Sequence, residues 1–137
     1  GNNKMGKSLG NAIYLSDDAG TVTAKVMSAV TDTNRIAVSD KGNPEVCTVN
    51  AYHKVFNLAE HPNICEMCKN ARIGCVACKK RLAEQLNSLL APIRDKRAFY
   101  SERKSDIRDY IIAGSRRANQ IGNQTMQEVK AAMSLLL

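Results

Sequence analysis

The sequence predicts an all-α protein, and three observations support that prediction. Hydrophobic residues make up 44% of the 137-residue chain, which is enough to bury a core. Aromatic residues account for only 4% and tryptophan is absent, so the core must be built from aliphatic side chains and methionine. Apolar residues recur at steps of three and four, and no stretch alternates long enough to predict a strand. We therefore expect a helical bundle.

The chain opens with a predicted loop over residues 1–20, which is rich in Gly and Asn and ends in turn-forming residues. The first helix is expected over residues 21–30, with Thr21 available as its N-cap. Asp17 and Asp18 lie beside this helix start. We expect these carboxylates to cap the helix and complement its dipole rather than to bind a metal.

A second helix is predicted over residues 45–59, because Asn43 before Pro44 suits an N-cap followed by the first helical position. Its inward-facing residues are expected to be Val46, Val49, Tyr52, Val55, Phe56 and Leu58. The proline within residues 61–63 should end this helix. A short helical turn over residues 64–71 is expected to follow.

A long helix is predicted to start near Cys75. Its apolar stripe consists of Leu82, Leu86, Leu89 and Leu90. Pro92 should kink or interrupt the helix, because its ring removes a backbone donor and clashes with the preceding turn. Helical character resumes after it, and a final helix is expected over residues 105–137, divided near Gly114 or Gly122.

The charge of the chain points to a polyanionic partner. The net charge is +7, and 13 of the 20 Lys and Arg residues lie between Lys69 and Arg117, against five acids. Such a one-sided excess favours contact with nucleic acid over an ordinary solvated surface. Phe99, Tyr100 and Tyr110 lie among arginines; either these rings stack on unpaired bases, or they face the core while the arginines face water.

No run approaches the roughly 18 apolar residues of a membrane helix, and no signal peptide is recognisable. We therefore predict a cytoplasmic protein without a membrane partner. In that compartment five cysteines favour metal or redox chemistry over disulfides.

Four of the cysteines form two Cys-x-x-Cys pairs, Cys65 with Cys68 and Cys75 with Cys78, and Cys47 lies upstream. This spacing aims both thiolates of a pair at one centre. Spacing alone selects the two pairs as ligands of a tetrahedral zinc ion. The alternative is that the cysteines are free core residues. His53 and His61 are expected to be surface or packing residues rather than ligands.

Residues 4–11, Lys4-Met5-Gly6-Lys7-Ser8-Leu9-Gly10-Asn11, have the composition of a loop that binds polyphosphate, with two lysines, a hydroxyl and two glycines in eight positions. The segment resembles the Lys-Met-Ser-Lys-Ser loop of class I aminoacyl-tRNA synthetases. Its continuation over residues 8–18 resembles bacterial tryptophanyl-tRNA synthetases, with Gly6 where that family usually has serine.

This resemblance implies a two-part organisation: residues 1–20 end a catalytic domain whose Rossmann part the chain lacks, and residues 21–137 form a helical anticodon-binding domain. The chain is thus expected to be a carboxy-terminal fragment. The implied enzyme is a cytoplasmic homodimer that joins tryptophan to ATP with Mg²⁺ and passes it to tRNA(Trp). By the family pattern, Lys4, Lys7 and Ser8 are catalytic and stabilise the separating phosphates. Met5 and Gly6 complete the nucleotide-binding loop.

The resemblance also implies a different ligand set. Residues 43–49 and 73–80 resemble two segments of those tryptophanyl-tRNA synthetases that carry a [4Fe-4S] cluster in the anticodon-binding domain. Carried over position by position, the ligands become Cys47, Cys68, Cys75 and Cys78, with Cys65 as the spare cysteine. Zinc remains the alternative metal, because Cys₄ sites serve both centres.

Two other classes of protein fit part of the sequence. A free-standing RNA-binding module with a Cys₄ metal site would explain the charge and the cysteines but not the lysine loop. A metal-stabilised interaction domain without a nucleic-acid partner would leave the excess of basic residues unexplained.

Overall fold

The computed structural model describes Gly6 and residues 9–135, and these contain five α-helices, a short 3-10 turn and no strand. The helices are α1 (Ala19–Ser28), α2 (Thr48–Phe56), α3 (His61–Lys69), α4 (Cys75–Ser101) and α5 (Lys104–Ala132), and the turn is Pro44–Val46. The all-α prediction is confirmed. The chain forms two compact units, Gly1–Asp95 and Lys96–Leu137.

Helix α1 begins two residues earlier than the sequence predicted. The Asp18 carboxylate accepts hydrogen bonds from the backbone N–H and the hydroxyl of Thr21, both at 2.8 Å. Capping by Asp18 is therefore confirmed, whereas Thr21 is the third residue of the helix and not its cap. The backbone N–H of Thr21 is also the main reason that the pKa of Asp18 is lowered.

The predicted second helix is shorter than expected. Asn43 caps as predicted, because its side-chain oxygen accepts a hydrogen bond from the backbone N–H of Glu45 at 3.1 Å. The 3-10 turn ends at Val46, since the backbone of Cys47 is extended, and α2 begins only at Thr48. The prediction of inward packing is wrong for Val46, Val55, Phe56 and Leu58, which are exposed, and correct for Val49, which is buried.

Helix α3 begins where the sequence predicted a break. His61 and Pro62 form its first turn, where a proline has no intrahelical hydrogen bond to lose. The expected turn over residues 64–71 is thus the later part of a longer helix. Beyond its end, Ala71 adopts a left-handed backbone with φ of 56° and Arg72 donates to the Met67 carbonyl at 2.7 Å. This turn directs the chain into α4.

Helix α4 runs through Pro92 without interruption, so of the predicted kink or interruption the interruption is wrong. The reason lies in the contacts on either side of the proline. Leu86 and Leu90 are buried before it, and Arg94 makes two side-chain hydrogen bonds after it. Leu89 was expected in the same apolar stripe but is exposed. Helix α5 is likewise undivided at Gly114 and Gly122.

The core of the first unit is formed by α1, α2 and α4. Its buried residues are Val22, Val26, Val49, Leu82, Ala83, Leu86 and Leu90, and Ile13, Ala29, Cys47, Tyr52 and Cys78 pack against them. In the second unit, α5 has no buried residue. None of the helices in the described part of the chain has the length and apolar character needed to cross a membrane.

Candidate metal centre and lysine loop

Of the predicted nucleotide-binding residues, Lys4, Met5, Lys7 and Ser8 lie outside the described residues. Gly6 is described. Its N–H donates to the side-chain oxygen of Asn11 at 3.1 Å, and its carbonyl accepts from the N–H of Leu9 at 3.1 Å.

Lys25 of α1 holds the segment over residues 12–17. Its ammonium group donates to the Ala12 carbonyl at 2.8 Å and to the Asp17 carboxylate at 2.6 Å, and it lies 4.7 Å from the centre of the Tyr14 ring. The same carboxylate accepts from the N–H of Tyr14 at 2.9 Å. The hydrogen bond from Lys25 is the main cause of the lowered pKa of Asp17.

Arg94 of α4 holds the same segment from a second side. Its Nε donates to the Asp17 carbonyl at 2.8 Å, and its Nη2 donates to the side-chain oxygen of Asn87 at 2.7 Å. The amide nitrogen of Asn87 donates in turn to Ala19 and Thr23 at the start of α1. Sequence reasoning missed this anchor. The seven-residue spacing of Asn87 and Arg94 puts both on one helical face, which is the signal that could have indicated it.

The four cysteines predicted as ligands come from three places in the fold. Cys47 precedes α2, Cys68 lies near the end of α3, and Cys75 and Cys78 lie in the first turn of α4. The pKa of Cys78 is raised to about 12, mainly by burial and in smaller part by Cys47, Cys68 and Cys75, whereas Arg81 lowers it. Burial is also the main cause of the raised pKa of Cys68; Arg35 lowers that pKa, and Cys47, Cys75 and Cys65 raise it.

Cys65 makes a different set of contacts. Its sulfur donates to the side-chain oxygen of Asn50 at 3.1 Å and lies 3.2 Å from Nε2 of His61. The same His61 nitrogen lies 3.1 Å from the Asn50 oxygen. Cys65, Asn50 and His61 thus form a small hydrogen-bonded group.

His53 is a neighbour of the cysteines that sequence reasoning missed. It is fully buried, and its Nε2 lies 3.2 Å from the carbonyl and 3.5 Å from the sulfur of Cys78. Its Nδ1 faces the amide nitrogen of Asn57 at 3.2 Å. Because that amide can only donate, Nδ1 accepts and Nε2 carries the hydrogen that points at Cys78. Burial is the main cause of the lowered pKa of His53, which favours the neutral ring.

The four cysteines supply the donor type of a thiolate-bound centre. Four thiols are the ligand set of structural zinc and of [4Fe-4S] clusters. Gly42 packs directly against one of them, because a Cβ added at Gly42 would lie only 2.5 Å from the Cys68 sulfur. Within Gly6 and residues 9–135, no three His, Cys, Asp or Glu side chains are gathered so as to hold a metal ion.

The predicted basic surface begins at Lys69 and includes Lys79, Lys80 and Arg81. Only some of these side chains are exposed and without a hydrogen-bond partner within the described part of the chain. Lys69, Lys80 and Arg81 are exposed, whereas Lys79 donates from its ammonium group to the Met27 carbonyl at 2.8 Å. Lys79 therefore joins α4 to α1.

In the second unit Phe99, Tyr100 and Tyr110 are exposed, so the alternative with these rings in the core is wrong. The guanidinium carbon of Arg103 lies 3.5 Å from the centre of the Phe99 ring.

Comparisons with known proteins agree on one family. The family model described as "tRNA synthetases class I (W and Y)" matches residues 1–91. The chain is similar to the protein named tryptophan–tRNA ligase in several bacteria. It is 41% identical to that of Aquifex aeolicus over 96% of this chain, 42% identical to that of Borreliella burgdorferi over 98%, and 37% identical to that of Thermotoga maritima over 97%. It spans between 34% and 41% of the length of these relatives.

Proposed function

The chain belongs to the class I tRNA synthetases of the tryptophan and tyrosine group, and from this premise we propose that it is the carboxy-terminal part of a tryptophan–tRNA ligase. The parent protein would be a cytoplasmic homodimer that activates tryptophan with ATP and Mg²⁺ and transfers it to tRNA(Trp). The observation that carries this proposal is the 41% identity to a tryptophan–tRNA ligase over 96% of the chain.

The proposed role of residues 4–8 is to stabilise the ATP phosphates as they separate. Lys4 and Lys7 would neutralise developing negative charge, and Ser8 and backbone amides would assist, without acid–base or covalent steps. This role requires that the segment joining the loop to the helical unit be held in place. The hydrogen bonds of Lys25 and Arg94 to the segment after the loop support this proposal.

The proposed role of the helical part is to bind the anticodon region of tRNA(Trp). Lys80 and Arg81 are exposed in the turn of α4 that follows Cys78, and Lys69 is exposed next to Cys68. These cations are suited to phosphate contacts, which position a nucleic acid without reading its sequence.

Cys47, Cys68, Cys75 and Cys78 would hold a [4Fe-4S] cluster with a structural role. When bound, the cluster supplies four iron–sulfur bonds that link the starts of α2 and α4 to the end of α3. Lys69 directly follows Cys68, and Lys80 and Arg81 follow shortly after Cys78. The ligands would therefore fix the positions of these three basic residues. All four cysteines are free thiols and partly buried, which supports this role.

Binding of RNA tests the proposal directly. We expect the purified chain to bind a tRNA(Trp) anticodon stem-loop, with an affinity that falls steeply with salt. The double variant Lys80→Ala, Arg81→Ala should weaken binding and reduce the salt dependence, because each lost phosphate contact lowers the slope by about one. The matched control is Lys54→Ala, Lys130→Ala, which removes two exposed cations elsewhere. Absence of binding at low salt would overturn the RNA-binding role.

A further inference from the structure

The end of α4 carries two exposed aromatic rings. Phe99 and Tyr100 are 49% and 50% exposed. They lie in the second unit, where α5 has no buried residue. Large apolar side chains are normally removed from water, because their burial is favourable. Two neighbouring rings left at the surface therefore indicate a place where another molecule binds.

The rings of Phe99 and Tyr100 are grouped with a guanidinium. Their ring centres lie 5.2 Å apart, and the ring planes stand at 86° to each other. The guanidinium of Arg103 lies over the Phe99 ring, 3.5 Å from its centre, and Nη1 donates to the Phe99 carbonyl at 3.3 Å. A cation over one face of a ring is attracted by the π-electrons. The group thus combines flat apolar surface with positive charge.

Further cations surround these rings. Residues 96–104 contain four Lys and Arg residues and one acid. Lys96 lies three positions before Phe99 and four before Tyr100, so helical spacing places it on the same side of α4. Lys96 and Arg97 are exposed, and neither forms an ion pair within the described part of the chain. Rings beside unpaired cations suit single-stranded nucleic acid, which offers base faces for stacking and phosphates for the cations.

Tyr110 is exposed in the same unit but has different surroundings. Its side chain is 75% exposed, and it lines a shallow depression together with Asp106 and Asp109. Two carboxylates repel the phosphates of a nucleic acid. The charge around the rings therefore separates Phe99 and Tyr100 from Tyr110.

We propose that Phe99 and Tyr100, with the guanidinium of Arg103, form a stacking site for unpaired bases of RNA. The inference rests on the proposed RNA-binding function and names the part of the RNA that this unit binds. A base on the Phe99 ring would extend the stack that Arg103 begins, and the nearby cations would contact its phosphates. Paired bases cannot bind in this way, because a duplex covers their faces.

The experiment measures binding of a fluorescein-labelled tRNA(Trp) anticodon stem-loop, and of a blunt RNA duplex of equal length, to the purified chain. Phe99→Leu removes the ring and keeps an apolar side chain. It should weaken stem-loop binding about fivefold or more and leave duplex binding unchanged. The slope of affinity against salt should stay the same, because stacking releases no counterions, whereas the loss of a phosphate contact lowers that slope.

Two control variants each remove a ring elsewhere. Tyr110→Leu acts in the same unit, beside the two carboxylates. Phe56→Leu removes the other phenylalanine of the chain, which is 38% exposed in the first unit. Both variants should bind the stem-loop as the wild type does.

A further variant reports stacking itself. Phe99→Trp keeps an aromatic face and introduces the only tryptophan of the chain. It should bind the stem-loop at least as tightly as the wild type. Its fluorescence should fall when the stem-loop binds, because a base stacked on the indole quenches the emission, and the duplex should leave the emission nearly unchanged.

Three outcomes would contradict the inference. Equal stem-loop affinities of Phe99→Leu and Phe56→Leu, without quenching in Phe99→Trp, would overturn the stacking site and favour a protein partner for these rings. Loss of stem-loop and duplex binding together in Phe99→Leu would show a role in folding and would also overturn it. A wild type that binds neither RNA at low salt would overturn the RNA-binding function together with this inference.

Discussion

Replacing Arg94 with alanine tests how firmly α4 holds the segment that follows the lysine loop. The substitution removes two hydrogen bonds of the guanidinium group, 2.8 Å to the Asp17 carbonyl and 2.7 Å to the Asn87 side chain. Hydrogen bonds to charged groups contribute about 1.5–3 kcal/mol each. Because Arg94 is half exposed, we take the lower part of that range and expect the free energy of unfolding to fall by about 2–4 kcal/mol.

Urea unfolding followed by circular dichroism measures this loss, and hydrogen exchange locates it. We expect faster exchange at the backbone amides of residues 12–18 than in the wild type. Arg94→Lys keeps the charge but loses the forked geometry, so its loss should be intermediate. Arg97→Ala is the control on the same helix, with an exposed side chain and an expected change within about 0.5 kcal/mol. If Arg94→Ala behaved like Arg97→Ala, the anchoring role would be refuted.

Three further predictions address the lysine loop, the cysteines and the turn between α3 and α4. In the complete enzyme, Lys7→Ala should lower the rate of tryptophan adenylation about 100-fold or more, because one transition-state contact contributes about 3 kcal/mol. The affinity for ATP should fall far less. Pre-steady-state kinetics measures the rate, and ATP titration measures the affinity. Cys47→Ser should abolish iron and sulfide binding, whereas Cys65→Ser should retain both in elemental analysis. Ala71→Gly should raise the free energy of unfolding by about 1 kcal/mol, because a φ of 56° strains the backbone of any residue that has a Cβ. Urea unfolding measures this increase in stability.

Each of these predictions has an outcome that contradicts it. Equal losses in adenylation rate and ATP affinity would show that Lys7 contributes uniform binding instead of transition-state stabilisation. Loss of iron in Cys65→Ser together with its retention in Cys47→Ser would return the ligand set to the two Cys-x-x-Cys pairs. A less stable Ala71→Gly would mean that the alanine methyl group contributes more than its strained backbone costs.

The fold class could be predicted because core composition and helical spacing agree along the chain. Val22 and Val26 in α1, and Leu82 and Leu86 in α4, follow that spacing and are buried. Helix ends were harder to predict, since several residues near one start can cap. Asp18 is the cap of α1, and its carboxylate uses both its oxygens on Thr21.

Pro92 shows why a local rule can fail. The rule considers the lost hydrogen bond and the ring clash. It does not include Leu90 packing in the core on one side of the proline and Arg94 bonded to Asp17 on the other. Tertiary contacts of this kind are not visible in the spacing of α4.

The cysteines could be found as candidate ligands from their spacing, but their surroundings could not. Arg35 and Gly42 lie 33 and 26 positions before Cys68 in the sequence. No periodicity links them to that residue. Their approach depends on the carboxylates of Asp32 and Asp40, which fold the intervening loop. His53 was missed for a similar reason, since its contact with Cys78 joins two helices.

Elemental analysis of the anaerobically purified chain tests the central claim most directly. That claim is that this member of the class I tRNA synthetases has a helical unit held together by four cysteine ligands. We predict a brown protein with about four iron and four sulfide ions per chain, as a [4Fe-4S] cluster requires. A colourless protein with one zinc ion per chain, or with no metal at all, would contradict the claim.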